Sequence, residues 1–507
     1  MTSQPRPQAG LLPFYLKLYD DLLPQYRAGF DSFIARITAA LEARGITVQT
    51  APVCRVADEF RAAIAQFEAA GVDCLVTLHL AYSPSLEAID ACCRTKLPIV
   101  ILDTTMDAEF GVSVSPDRIM YNHGVHGVMD FASMLRRRKR AFAIVAGHDR
   151  DPRMLDRVAD QVRSATTKNT DPSSGRALSP KAPRTARRAV PTRQIGKLGE
   201  IAANALRASR VLRVGAAFAG MGDFAVAEDV LADKLGIAVK QVGLDALDAA
   251  VRQVTDAAVA KEVASDHEQF ACELPAEAHA RSVRVGLGLR RLLEDGDYSG
   301  LSVNFQAFDR ADRPANTMPF LEISKAMGRG IGYAGEGDVL TAALVGALAR
   351  AIGAVTFTEI FCVDWAGDTL FLSHMGEISP SVAGDRPRVF SKPFFSGGSL
   401  DPAVLTCAVK PGPAVFVNLA PGPDDTFALI VAPVEVLAED ASLDPAMRDV
   451  VRTWIRPRRP VAEFLEAYSR AGGTHHCALV LGDRAEAIAA FGRLSGLEVV
   501  RLSGRQC

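Results

Sequence analysis

Neither sign of charge dominates this chain. Its 507 residues carry 57 Lys plus Arg against 59 Asp plus Glu, a net charge of −2. That balance excludes a globally basic nucleic-acid binder and a strongly acidic tail protein. No hydrophobic signal core follows Met1, which points to a cytoplasmic protein. Long apolar runs are also scarce. The one stretch that resembles a membrane span, Val339 to Phe357, holds Arg350 in its interior and a helix-breaking Gly353. It reads as a helix followed by a buried strand, because a mid-span Arg is costly in lipid. The nine cysteines form no C-x-x-C pair, and reduced, mostly buried thiols fit that usage. Also missing are a G-x-G-x-x-G after a first strand and a P-loop, so a nucleotide-binding reading loses its usual support.

What is present is ample material for a core. Apolar residues make up 49% and charged residues 23%, so the chain is neither disordered nor fibrous. At roughly 150 residues per domain, about three domains are expected. The first 163 residues alternate between apolar strands and amphipathic helices. Strands are expected at Leu12–Leu18, Ile46–Val53, Val72–Leu80, Leu97–Asp103 and Ala141–Gly147. Between them lie helical stretches such as Phe30–Ala43, Phe60–Ala70 and Pro84–Arg94, the last with Ser83 as its cap and Pro84 in its first turn. Near-continuous apolar strands separated by helices imply a parallel sheet covered on both faces.

Residues 164–197 change character. Ser, Thr, Pro, Lys and Arg dominate, Asp171 is the only acid, and the stretch reads as a basic, flexible insertion. The α/β pattern resumes over 198–352, with strands at Val211–Gly215, Ile237–Val242 and Leu301–Phe305 and a helix over Leu244–Val263. After Gly353 short strands follow one another, joined by Gly, Pro and Asp, as in an antiparallel sheet or small barrel. The expected fold class is therefore α/β: two doubly wound parallel-sheet domains (1–163 and 198–352), followed by a β-rich, barrel-like C-terminal domain (353–507).

Chemistry-bearing residues gather in four places. Glu336 and Asp338 alternate with glycines just before an apolar helix, where they also suit the helix dipole. Glu359 stands inside a run of β-branched and aromatic residues, and buried acids are rare unless paired or metal-bound. His374 ends a short strand. His475 and His476 follow two glycines; once inside a strand, only one of the pair can face a given site. Two carboxylates and two imidazoles with open positions suit Mn²⁺, Mg²⁺ or Co²⁺ better than a structural zinc.

Four runs resemble the L-arabinose isomerase family in order and spacing. They are the Gly332 run through Glu336 and Asp338, Thr356–Glu359, Ser373 through Glu377, and Gly472 to His476. Upstream, the segments around Asn122–His126 and Gly220–Met221, and the stretch Val283–Phe305, resemble the same family. The resemblance implies a Mn²⁺-dependent aldose–ketose isomerase on a pentose or deoxyhexose, working through an enediolate. It also implies a cytoplasmic homo-oligomer, usually a hexamer, with the site shared between subunits. Carried over by motif, Glu336, Glu359, His374 and His476 hold the metal, and Glu336 and Glu359 serve as catalytic base and acid. His126, Met221, Phe305, Phe357 and Met375 line the sugar pocket.

The chain departs from the family where Leu16-Lys17 replaces a Gln-His pair, where Ile360-Phe361 replaces Asp-Tyr, and at His123, which replaces Gln and joins the pocket set. A site that loses hydroxyl partners is expected to take a different sugar. No nucleic-acid or membrane partner is expected. Alternative readings are a metal-dependent sugar epimerase and a sugar-binding or regulatory protein on the same scaffold.

Overall fold

A computed structural model describes residues 6–170, 193–394 and 398–504. The chain builds two parallel sheets and a barrel. In the first, β1 (Gln8–Phe14), β2 (Thr47–Thr50), β3 (Cys74–His79), β4 (Ile99–Asp103) and β5 (Ala143–Ala146) run in the order β2-β1-β3-β4-β5, all parallel. β3 and β4 are buried at every position, as central strands covered on both faces must be.

The second sheet contains β6 (Arg210–Val214) and β7 (Ala238–Val242); the two-residue strand β8 (Ala271–Cys272) comes next in the chain but joins a different sheet. β9 (Gly300–Val303) and β10 (Gly332–Gly335) complete the parallel order β10-β9-β6-β7.

Ten-residue β11 (Val355–Asp364) opens the β-rich part, followed by β12 (Thr369–Ser373). β13 (Arg388–Ser391) and β14 (Ala403–Thr406) pair with β8 in a small sheet of their own. The remaining strands are β15 (Gly412–Pro421), β16 (Phe427–Val436), β17 (Thr453–Pro457), β18 (His476–Leu481) and β19 (Glu498–Arg501). The order β15-β18-β11-β12-β17-β16 closes through β15–β16 pairing into a six-stranded antiparallel barrel, with β19 added parallel to β16. The expected α/β class with a barrel-like C-terminal part is therefore the architecture found.

Between the second sheet and the barrel lies the helix Val339–Ile352. It is apolar all round and buried from Val339 to Ala349, as a helix packed on every side must be. It ends at Gly353 and passes directly into β11. Among the described residues, no helix is long and apolar enough to cross a membrane.

Several local expectations shift. The first strand stops at Phe14, and Lys17–Leu22 is a helical turn held by the Lys17–Asp21 ion pair at 2.7 Å. The helix expected over Leu244–Val263 is two helices, because Thr255 turns out to accept the N–H of Ala258 at 3.2 Å and caps a second one, Asp256–Gln269. The Pro84 helix starts at Ser85 and is not capped by Ser83. Instead Asp130, from the helix Val125–Arg137, accepts the Ser85 N–H at 3.0 Å, while Ser83 bonds His79 Nδ1 at 2.8 Å. Of the basic 164–197 stretch, 164–170 and 193–197 continue helices, and 171–192 lie outside the described residues.

Candidate active site

The strand register assembles the centre of the site. β11 and β18 run antiparallel with Glu359 directly opposite His476, and β12 brings Ser373 opposite Glu359, so His374 follows at the strand end. Side chains of directly opposed residues share one face. Glu359 Oε1 lies 2.9 Å from His476 Nε2 and 3.1 Å from His374 Nε2. Glu336 reaches the same point from the turn between β10 and the Val339–Ile352 helix. Its Oε2 is 3.4 Å from His476 Nε2 and 3.8 Å from His475 Nε2.

That turn is tightly built. Glu336 has φ +61°, a left-handed conformation that non-glycine residues adopt at a cost and that clusters at functional sites. A Cβ on Gly335 would come within 2.9 Å of His374 Cε1, and Gly337, at φ +88°, leaves no room for one against the Ala217 backbone. Only glycines let the carboxylate approach so closely.

Each imidazole of the cluster is held from behind by a carboxylate. His476 Nδ1 lies 2.9 Å from Asp338 Oδ2, His475 Nδ1 2.7 Å from Asp223 Oδ2, and His374 Nδ1 2.6 Å from Glu377 Oε1. This wiring points every Nε2 toward the two glutamates. Asp338 also caps the Val339–Ile352 helix through the Thr341 N–H, so one carboxylate both caps the helix and holds His476. Asp130 accepts the N–H groups of Gly222 and Asp223 and the Tyr82 hydroxyl. It thereby ties the first α/β layer to the loop that orients His475.

These contacts set the charges. Burial alone raises the Glu336 pKa, but the His475 and His476 imidazoles outweigh it and the carboxyl falls to about 2. Glu359 is held well below its usual range, burial being overcome by His374 and His476. Burial opposes protonation of His374 and His475, yet Glu377 with Glu359, and Asp223, push them up to about 10. His126 behaves oppositely: burial drives it down to about 3, and Glu359 only partly offsets this.

The donor set fits a divalent ion. One ligand atom each from Glu336, Glu359, His475 and His476 lie within 4.8 Å of one another. The Nε2 atoms of His126, His475 and His476 are buried without a hydrogen-bond partner, although glutamate oxygens lie 3.2, 3.8 and 2.9 Å away. Those of His475 and His476, near an acceptor but misdirected for hydrogen bonding and each backed by a carboxylate, match the outer-sphere pattern of metal-ligating histidine.

Above the cluster opens a cavity of about 490 Å³. His123, His126, Met221, Phe305 and Met375 line it, as do Leu16 and Phe361. His123 is anchored by the Ile119 carbonyl at 2.9 Å and the Tyr19 hydroxyl at 3.2 Å. Phe361 falls in a β-bulge of β11, between Ile360 and Cys362, which frees it from the regular alternation. Phe357, expected in the cavity wall, is not among its lining residues. Alternation along β11 puts it on the same face as Glu359, where its ring packs edge-on against His374 and His476, at 4.7 and 5.0 Å.

Glu336, Glu359, His374 and His476 are thus brought together from residues far apart in sequence. Sequence reasoning missed His475 as a donor: β18 begins only at His476, so strand alternation does not exclude its neighbour. Asp223, Glu377 and Asp130 were missed too. The signal for Glu377 was an acid three residues after His374, and for Asp130 an Asp inside the apolar run around Met129 and Phe131.

Known proteins are similar to this chain in sequence. An L-arabinose isomerase from Nocardioides sp. is 28% identical over 488 residues, covering 92% of this chain and 88% of the relative. Those of Herpetosiphon aurantiacus and Geobacillus thermodenitrificans are each 26% identical over 472 residues, covering 89% of this chain and 85% of the relative. The class follows: the chain is one of the aldose–ketose isomerases, the intramolecular oxidoreductases. The family models for the L-arabinose isomerase central domain and C-terminal domain match residues 210–353 and 354–498. The chain belongs to the L-arabinose isomerase family.

Proposed function

We propose that this protein is a metal-dependent aldose–ketose isomerase acting through an enediolate on a pentose or deoxyhexose. The observation that carries the reading is the meeting of one buried and one half-buried carboxylate with three carboxylate-backed imidazoles under one cavity. Glu336, Glu359, His374 and His476 would hold the ion, with His475 as a further donor. Mn²⁺ is the proposed ion, with Mg²⁺ or Co²⁺ as substitutes. When bound, it polarises the sugar carbonyl and stabilises negative charge on the adjacent oxygens.

The chain's own groups do the proton work. Moving the carbonyl from C1 to C2 removes the C2 proton, delivers a proton to C1, and shifts the O2 hydroxyl proton to O1. Glu336 and Glu359, both ionised at neutral pH, supply the base and then the acid. Neutral His126, whose Nε2 is 3.2 Å from Glu359 Oε2, is placed to hydrogen-bond a sugar hydroxyl.

The cavity wall bears on the substrate. Leu16, Met221, Phe305, Phe361 and Met375 offer carbon or thioether where hydroxyls would need partners. This favours the deoxy end of the proposed range, since a methyl group rests on such a wall and a hydroxyl there is left unsatisfied. Homo-oligomeric, hexameric assembly, a cavity shared with a partner subunit and a cytoplasmic location belong to the same proposal and rest on the family resemblance.

The test is a panel of aldoses and ketoses incubated with metal-stripped protein plus added Mn²⁺, followed by NMR in D₂O. Isomerisation produces the matching ketose or aldose, with deuterium entering at C1 or C2. Glu359→Gln is expected to abolish turnover with the fold intact. Normal activity in that variant refutes the assignment.

A further inference from the structure

Away from this site the chain collects a second set of metal-type donors. His267, Cys272 and His279 each bring a ligand atom within 4.8 Å of the others. His267 lies near the end of the Asp256–Gln269 helix, Cys272 in β8, and His279 in the first turn of the helix Ala276–Asp295. The two imidazoles meet edge-on with centroids 5.5 Å apart. His279 is buried, Cys272 half-buried and His267 exposed, so an ion can enter from solvent.

The surroundings are prepared for a ligand. His279 Nε2 is committed to the fully buried Asp266, whose Oδ2 lies 3.0 Å away, which leaves Nδ1 for the cluster. The other oxygen of Asp266 accepts from Lys325 Nζ at 2.6 Å. This carboxylate-behind-imidazole arrangement is the one found at the active site. The backbone between His267 and Cys272 is fixed by Arg386, whose Nη2 donates to the His267 and Phe270 carbonyls, both at 3.0 Å. A tetrahedral ion with bonds of about 2.0–2.3 Å holds its donors roughly 3.3–3.8 Å apart. Rotamer adjustments of about 1 Å therefore close the site.

The donor chemistry selects the ion. One thiolate and two imidazoles are softer than the glutamate-rich active site and favour Zn²⁺ or Co²⁺ over Mn²⁺ or Mg²⁺. The position also has a consequence. Cys272 pairs with Val389 of β13, the residues just after β13 (Lys392 and Phe394) line the cavity, and so does Val404 of β14.

We propose that His267, Cys272 and His279 form a second metal site, for a thiophilic divalent ion of the Zn²⁺ or Co²⁺ kind, that braces the small sheet carrying one wall of the cavity. The site stands independently of the isomerase reading. Co²⁺ is the probe, because the active-site donors include no sulfur and only thiolate ligation yields a sulfur-to-cobalt charge-transfer band. The neighbouring Cys477 is engaged with the Tyr468 hydroxyl at 3.0 Å.

Metal-stripped full-length protein is titrated with Co²⁺ and read by absorption and by bound metal per chain. The wild-type protein is expected to develop the band. Cys272→Ser is expected to lose it while keeping the Co²⁺ bound by the glutamate cluster. His267→Ala, at an exposed position that does not threaten folding, is expected to weaken the titration of the band by at least about 10-fold, the loss that follows removal even of an outer-sphere partner. A band absent from the wild-type protein, or unchanged in either variant, overturns the proposal.

Discussion

Asp338 performs two tasks with two oxygens, and two substitutions separate them. Oδ1 caps the buried Val339–Ile352 helix through the Thr341 N–H at 2.9 Å, and Oδ2 faces His476 Nδ1 at 2.9 Å. Asn matches Asp as an N-cap, whereas Ala costs about 1 kcal/mol there. Asp338→Asn therefore keeps the cap but turns an amide N–H₂ toward His476 Nδ1. The imidazole answers by moving its proton to Nε2, the nitrogen that faces Glu359 and Glu336, and loses its lone pair for a metal. Losing an outer-sphere partner costs about 10- to 100-fold in metal affinity, or about 1.4–2.7 kcal/mol.

The expectation is that Asn and Ala variants lose Mn²⁺ affinity alike, but that Asn is about 1 kcal/mol more stable than Ala. Titration calorimetry with Mn²⁺ gives the first quantity and urea unfolding the second. Wild-type affinity in Asp338→Asn would show that His476 does not ligate through Nε2. Equal stability of the two variants would show that the cap carries no weight.

Other outcomes follow from the same geometry. Carboxylates hold His374 and His475 at about 10, so both are protonated in the metal-free protein, and Mn²⁺ binding at about pH 7 should release protons and tighten as pH rises; a dye in weak buffer reads the release, and a proton-neutral titration contradicts the ligand set. Burial, helped by Glu466, raises Asp103 to about 8 from the 3.8 of an open carboxyl, and both its oxygens lack partners. The folded form therefore keeps a proton that the unfolded chain has lost, and stability falls as pH rises from about 4 to about 8, by up to ~5 kcal/mol. Asp103→Asn should flatten that slope in urea unfolding at several pH values, and a slope left intact would assign it elsewhere. Phe361→Tyr adds a hydroxyl to the cavity wall and should move the kcat/KM ratio roughly 2- to 10-fold toward more hydroxylated sugars; an unchanged ratio argues that Phe361 does not meet the substrate.

Much of the architecture was legible in the chain because burial leaves a periodic trace. Val72–Leu80 and Leu97–Asp103 read as central strands, and β3 and β4 fall within them. The apolar run through Arg350 divided at Gly353 as its glycine and charge indicated. Boundaries governed by distant partners were less readable. Nothing near Ser85 announces that its helix will be capped by Asp130.

The same division holds for the site. Residue type pointed to Glu336, Glu359, His374 and the His475–His476 pair, because acids and imidazoles in apolar surroundings demand partners, and the family resemblance selected His476 of the pair. Which partners they find is a matter of strand register and packing, which bring together groups more than a hundred residues apart. Only the folded chain places Glu359 opposite His476, packs Phe357 against the His374 and His476 rings, and admits His475 by starting β18 one residue later. Local sequence fixes which groups are costly to bury. Long-range pairing, set by hydrophobic packing and not by the polar residues themselves, decides which of them meet.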